Sequence, residues 1–558
     1  MKYNILIGGA AGLGMDTISI LIEKILKRKG YYVYSNKDYM SRVRGGHNFI
    51  QVRFGTKPIY SHWPELDAII ALDKETVELH RESLTDTGII ICDEALEVEG
   101  NNIIKVPLTK IAAEVKNPKT SGSVAAGALL KIFGQSLELV QQIFIEKFEK
   151  ESAEANYLAF QKGYEYAEKR FDITTKREDK HIFINGNAAI AMGALAGGVA
   201  FYASYPMTPA TSIMTQLSMR QDDAGIVVEQ VEDEISAINM VLGASYAGVR
   251  AMTGTSGGGF ALMVEALSLQ GIMELPLVVV NSQRPGPSTG MATRTEQSDL
   301  DFVLTAGHGE FPRMVLAVRN PEDAFYQTTR ALNIADKYQT LVIILTDQYL
   351  ADTAQTIKPF DFSSVSIERG FTEAKELEGE RYKRYMLTES GISPRIIPGK
   401  IPGTVMMADS HEHNEYGHIS ESIEVRNAMM QKRMKKLELM ASEIQEPDYY
   451  GAKEPEILLI GWGSMQGPLR EAIELLEQED ISIGALVFGD LYPMPTKLLK
   501  KYVGIAKKHI NVEQNFTGQL GRLIRQETGI FMTSSILNYD GRQLDSYTIC
   551  ARVKKEVL

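Results

Sequence analysis

The chain is poor in cysteine, with Cys92 and Cys550 its only two among 558 residues. They form no Cys-x-x-Cys, so four thiolates for an iron–sulfur cluster or a zinc site cannot come from this polypeptide. Any redox centre must be supplied from elsewhere. It also lacks an excess of positive charge: 59 Lys+Arg against 71 Asp+Glu leave a formal net charge of -12, which removes the bulk electrostatic case for binding nucleic acid or an anionic membrane. Long apolar runs are missing too. The most membrane-like stretch, Ala188 to Ala203, is mostly Ala and Gly and falls short of the roughly 20 strongly apolar residues that span a bilayer. The N-terminal Met1-Lys2-Tyr3-Asn4-Ile5-Leu6-Ile7-Gly8 runs straight into a strand without the apolar core of a leader, so a cytoplasmic protein is expected.

What is present is α/β alternation. Tyr3–Ile7, the turn Gly8-Gly9-Ala10-Ala11-Gly12-Leu13-Gly14 and an apolar-periodic run to Leu26 read as strand, tight turn and helix. Short apolar runs at Tyr31–Ser35, Ala68–Leu72, Gly88–Cys92 and Ile103–Val106 continue the pattern. They predict a doubly wound sheet over residues 1–175, followed by a polar linker at Thr174–Lys180. A second α/β domain is expected over 181–358, an irregular connector with a long basic helix around Glu424–Glu443 over 359–451, and a third α/β domain over 452–558.

Several loops carry polar groups suited to ligand chemistry. Gly9-x-x-Gly12-x-Gly14 lets backbone approach an anion, although an acidic ribose partner is missing near Ser35-Asn36-Lys37-Asp38, which speaks against a dinucleotide. In Arg42-Val43-Arg44-Gly45-Gly46 two guanidiniums flank a glycine turn and suit a phosphate or carboxylate as well as plain solvent. Tyr205-Pro206-Met207-Thr208-Pro209 either presents the Thr208 hydroxyl on a rigid loop or simply caps a helix that Pro209 begins. Glu229, Glu232, Asp233 and Glu234 lead into an apolar helix. Acids there normally complement a helix N-terminus, and only one buried against a cofactor would share a proton with it. Thr255-Ser256-Gly257-Gly258-Gly259 forms a turn after a strand. Arg284, beyond the buried-type strand Leu277–Val280, sits where open α/β sheets hold ligands and is a natural carboxylate clamp.

Taken in order, Asn185-Gly186-Asn187, Tyr205-Pro206-Met207-Thr208-Pro209, Glu229 through Gly243, Thr255-Ser256-Gly257 and Arg284 resemble the alpha subunit of the 2-oxoacid:ferredoxin oxidoreductases. Residues 1–175 resemble that family's gamma subunit. Gly461-Trp462-Gly463-Ser464 with Val512-Glu513-Gln514-Asn515 resembles its transketolase C-terminal-like domain. The resemblance implies a fused gamma–alpha chain: a multidomain α/β protein with a doubly wound gamma-type domain, a pyrimidine-side thiamin diphosphate domain and the transketolase-like domain. It also implies a separate beta subunit carrying Mg2+, a [4Fe–4S] cluster and the diphosphate end of thiamin diphosphate, in an alpha–beta or alpha2beta2 assembly. Ferredoxin would take the electrons and coenzyme A the acyl group. In that setting Glu234 would hydrogen-bond the pyrimidine ring and promote formation of the thiazolium nucleophile. Thr208, Arg284 and Thr293 would meet the 2-oxoacid, and Arg42 and Arg44 would contact coenzyme A phosphates.

Met207 and Ala210 depart from the commoner Tyr-Pro-Ile-Thr-Pro-Ser pattern, and Gly258 stands where proline is frequent. The fused layout, Gly286-Pro287-Ser288-Thr289-Gly290 and Thr295-Glu296-Gln297 lean toward 2-oxoglutarate as substrate. The alternatives are a pyruvate, branched-chain or arylpyruvate enzyme of the same architecture, or a non-catalytic acyl-CoA- or nucleotide-binding scaffold.

Overall fold

The computed structural model describes residues 1–41, 45–175, 177–372 and 381–557. The chain forms two compact units, one built from residues 1–184 with 352–359 and 545–548, the other from 185–351, 360–544 and 549–558.

The first unit is organised by a mixed sheet whose strand order is Ile103–Val106, Leu84–Asp93, Leu66–Ala71, Lys2–Ala11, Gly45–Gly55, Tyr32–Asp38, Ala354–Ile357 and Ile182–Asn185. Strands Lys2–Ala11, Leu66–Ala71, Leu84–Asp93 and Ile103–Val106 run parallel, as their helix-length spacing predicts. The sequence reading passes over Gly45–Gly55, which inserts antiparallel between Lys2–Ala11 and Tyr32–Asp38. Its glycines and its polar His47, Asn48 and Gln51 disguise it, yet all three of those polar residues are buried. Gly12 and Gly14 adopt φ of 98° and 90°, so glycine is required where the first strand turns into helix Met15–Arg28. That helix buries Ile18, Leu21, Ile22, Ile25 and Leu26 on one face, each contributing ~1.5–3 kcal/mol. Strand Ala354–Ile357 pairs antiparallel with Tyr32–Asp38, and the Val33 amide donates to Thr356 Oγ1 at 2.9 Å.

The second unit holds two sheets. One has the order Asp490–Tyr492, Arg313–Ala317, Leu341–Asp347, Leu277–Gln283, Ala251–Thr255, Phe201–Ser204 and Val227–Gln230, parallel except for Asp490–Tyr492. Central strands Leu277–Gln283 and Leu341–Asp347 are buried along their whole length, which is why they read as near-continuous apolar runs. The Ala/Gly stretch after residue 185 forms a helix–strand pair: helix Gly186–Ala196 packs so closely that a side chain on Gly193 would meet the backbone of Phe325. The other sheet orders Asp448–Gly451, Ile483–Phe488, Ile457–Trp462, Lys508–Glu513 and Ser534–Leu537. A fully buried Glu513 carboxylate accepts from the Trp462 indole at 2.9 Å and from the Leu520 amide at the start of helix Gln519–Thr528.

The basic helix of the connector is present as Ile423–Met440. Its cations do not face water. Lys432 and Lys436, one turn apart, both reach the buried Glu274 carboxylate, Lys432 at 2.5 Å. Burial alone would raise Glu274, but the two ammoniums and the Arg384 guanidinium outweigh it and hold the carboxyl below the usual range. A second buried acid, Asp336, accepts from Arg250 at 2.8 Å, Arg395 at 2.7 Å and Arg369 at 3.0 Å. These ion groups fasten the irregular segment onto the sheet-bearing part of its unit.

Candidate active site

Four acids open the helix that begins at residue 234, and burial ranks them. Glu229 and Glu232 are exposed, and Asp233 is the N-cap, accepting from the Ser236 amide at 2.7 Å. Glu234 alone is buried, with 4% of its surface exposed. Among the described residues its Oε1 has no hydrogen-bond partner, a costly state for a buried carboxylate unless a ligand completes it.

The carboxylate lies against helix Gly257–Leu262, which follows strand Ala251–Thr255 and stands where the sequence suggests a glycine turn. A side chain built on Gly259 would collide with Thr255 Oγ1 and with the Glu234 carboxyl group, so glycine at 259 keeps this space open. At the start of that helix, its N-cap Ser256 with Gly257 and Gly258 line a cavity of about 440 Å3 with Met207, Ala261, Arg284, the loop 286–289 and Asp299. Buried hydroxyls of Thr253, Ser256 and Ser282 also have no partner among the described residues.

Arg284 follows strand Leu277–Gln283 directly and is half-buried. One guanidinium nitrogen, Nη1, donates to the Thr208 carbonyl at 2.7 Å, which aims the fork and leaves its other N–H groups for the cavity. Burial lowers the Arg284 pKa and the nearby Asp299 opposes that shift.

The structure thus brings Arg284 and Thr208 together, but through the Thr208 carbonyl; no hydrogen bond of its hydroxyl is seen among the described residues. The capping alternative for Thr208 fails, because helix Thr211–Ser218 starts later, with Ala210 as its N-cap. Thr293 is buried, with 8% exposure, and is not part of the cavity lining described above. Arg42 and Arg44 lie outside the described residues. Asp299 is a lining residue the sequence reading missed. An acid just before an apolar helix reads as a cap, and only the fold shows that its side chain caps nothing in helix Leu300–Thr305.

A larger cavity, about 500 Å3, is lined by Glu265, His308, Arg426 and Arg433 among others. Both of its guanidiniums are held by Glu412, at 2.6 and 2.7 Å, so it offers a carboxylate ligand far less than the site at Arg284. Among the described residues no metal-ligating cluster occurs and no helix is long and apolar enough to cross a membrane. Both cysteines are buried free thiols.

Comparison with known proteins gives a consistent answer. Residues 4–166 match the family described as pyruvate ferredoxin/flavodoxin oxidoreductase, and residues 192–432 match the thiamine diphosphate-binding domain of pyruvate flavodoxin/ferredoxin oxidoreductase. The chain is 35% identical to the 2-oxoacid:ferredoxin oxidoreductase subunit alpha of a Sulfolobus species, over 97% of this chain and 95% of that one. It is 33% identical to the 2-oxoglutarate oxidoreductase subunit KorA of Mycobacterium tuberculosis, over 74% of this chain and 65% of the other. It also superposes, with a TM-score of 0.93, 33% identity and full coverage of both chains, on the 2-oxoglutarate:ferredoxin oxidoreductase of Magnetococcus marinus, whose structure holds 2-oxoglutarate, coenzyme A and succinyl-CoA. A gamma-type unit joined to an alpha-type thiamin diphosphate domain, with a relative aligned along nearly all of both chains, places this protein in the 2-oxoacid:ferredoxin oxidoreductase family as an alpha subunit of the fused gamma–alpha kind.

Proposed function

We propose that the assembled enzyme oxidatively decarboxylates 2-oxoglutarate to succinyl-CoA. In this reading a beta subunit contributes Mg2+, the diphosphate site and a [4Fe–4S] cluster, ferredoxin accepts the electrons, and the complex works in the cytoplasm as an alpha–beta or alpha2beta2 assembly. The KorA relative and the Magnetococcus structure support this choice of 2-oxoacid. The two cysteines of this chain require a cluster to be held elsewhere.

The observation that carries the reading is the buried Glu234, whose Oε1 lacks a partner beside the open space at Gly259. These residues fit the pyrimidine side of thiamin diphosphate. When bound, that cofactor supplies a nucleophilic carbon and a sink for the electrons left by departing carbon dioxide. Glu234 holds a proton between its free oxygen and a pyrimidine ring nitrogen. Arg284, steadied by the Thr208 carbonyl, receives the substrate carboxylate with its remaining N–H groups. Thr208 adds a hydroxyl on the substrate side, and Arg42 and Arg44 meet the coenzyme A phosphates.

Changing Glu234→Gln in the assembled complex keeps the side chain's shape and removes the acid. A loss of ~100-fold or more in 2-oxoacid oxidation, with assembly intact, is expected. Near-normal turnover refutes the role. A panel of 2-oxoglutarate, pyruvate, branched-chain 2-oxoacids and arylpyruvates, run on the wild-type complex, decides the substrate. The purified lone chain should show neither iron–sulfur absorption nor turnover.

A further inference from the structure

Arg284 is not the only ionisable group in its cavity. Asp299 lines the same space, and no ion pair joins the two among the described residues. Two strand residues hold the aspartate, and the first glycine of helix Gly257–Leu262 packs against it. Its amide donates to Gln283 Oε1 at 3.0 Å, and its Oδ2 accepts from Asn281 Nδ2 at 3.1 Å. A side chain on Gly257 would strike its carboxyl group. Its other oxygen, Oδ1, has no hydrogen bond among the described residues. An arginine set against a carboxyl in one cavity, with a gap between them too wide for an ion pair, leaves room for a ligand that engages both.

The geometry points to Asp299 as a second substrate-binding group that donates a proton-bearing carboxyl oxygen to the 2-oxoacid's carboxylate while Arg284 holds it from the other side, so that substrate binding takes up a proton. This rests on the proposed reading of the site. An ionised Asp299 would repel an anionic substrate, whereas a neutral one is a strong donor to it. Asn281 Nδ2 engages Oδ2 in either state, which leaves Oδ1 as the oxygen to carry the proton. Burial pushes the Asp299 carboxyl up to about 6, against the lowering effects of Asn281 and Arg284. The charged groups facing it among the described residues are Arg284, beyond strand Leu277–Gln283, and Glu296, three residues back on its own loop; Asn281, Gln283 and Gly257 pack on it without charge. At neutral pH most empty sites carry the ionised form, and the arriving anion recruits the proton from solvent.

The test is the pH dependence of KM for 2-oxoglutarate in the assembled complex. Wild type should show KM rising by about tenfold per pH unit above ~6, the linkage expected for one proton taken up on binding. In Asp299→Asn, whose amide donates at any pH, that slope should vanish. A variant that keeps the wild-type slope overturns the proposal, as does one whose KM rises equally at every pH with the slope retained, the signature of a merely structural aspartate. Should the variant not fold, calorimetry decides. Binding of 2-oxoglutarate to the Glu234→Gln complex at pH 7.5, in two buffers of different ionisation enthalpy, should show uptake of about one proton. Zero uptake overturns the proposal. Complete failure of the wild-type complex to bind or oxidise any 2-oxoacid is a separate outcome that removes the proposed function itself.

Discussion

A single methyl group at position 259 tests the site without replacing any of its polar side chains. The side chain of Gly259→Ala would come within 2.8 Å of the Glu234 carboxyl carbon and overlap Thr255 Oγ1. Carbon atoms pack at ~3.5–4.0 Å, so the carboxyl must retreat by ~0.7 Å or more. It has little freedom to do so: Glu234 is the first residue of its helix and 4% exposed, and Thr255 is fully buried at the end of a strand. The strain of such overpacking is ~1–3 kcal/mol, small for a protein of this size, so the chain should still fold and assemble. A catalytic group displaced by ~1 Å, however, costs on the order of 100-fold in rate. We expect the assembled Gly259→Ala complex to bind thiamin diphosphate weakly by calorimetry and to reduce an artificial electron acceptor ~100-fold more slowly with 2-oxoglutarate. Wild-type turnover together with wild-type cofactor affinity would show that the space beside Glu234 is not where the cofactor lies.

Two further outcomes concern the buried acids. Asp336→Asn removes the negative charge that Arg250 and Arg395 share in the interior, leaving two buried guanidiniums uncompensated; a loss of ~3–5 kcal/mol and a clearly lower thermal midpoint are expected, and an unchanged midpoint would show that the ion group contributes nothing. Burial pushes the Glu23 carboxyl up to about 7, against the lowering effect of the 2.6 Å hydrogen bond from Ser35. Because the folded value lies above the unfolded one, its stabilising contribution is complete below pH ~4.5 and is lost as pH rises through ~7. Glu23→Gln should therefore flatten the stability profile across that window and gain ~2–3 kcal/mol at pH 8, read from denaturant midpoints at pH 5 and 8; a variant with the wild-type slope refutes the assignment.

Much of the fold was legible because local pattern and global structure agree. The parallel strands of the first unit, helix Met15–Arg28 and the whole-length apolar strands of the second unit follow from periodicity and run length. Strand Gly45–Gly55 escaped because buried polar residues and two glycines at its start look like a turn, and only pairing on both edges makes it a strand. At the site, Arg284 and Glu234 were legible as residue types in suitable places, but only the family resemblance, not the residues themselves, singled out Glu234 among the four acids. Burial decides it, and burial is a property of the packed chain. Asp299 was invisible for a related reason: its neighbours Asn281 and Gly257 come from segments 18 and more residues away. The connector's basic helix was legible, but not where its lysines point, since nothing in the sequence near residue 432 reveals the acid at 274 that draws them inward.

The way the first sheet is completed bears on how this protein can be dissected. Scissors placed at the polar stretch near residue 175 would sever the first 170-odd residues from Ala354–Ile357, the neighbour of Tyr32–Asp38, and would deprive the Val33 amide of the Thr356 hydroxyl. The excised piece would carry a bare strand edge, an open template for self-association. A soluble stand-alone version therefore needs that short ribbon grafted back, or charged residues set along the stripped margin.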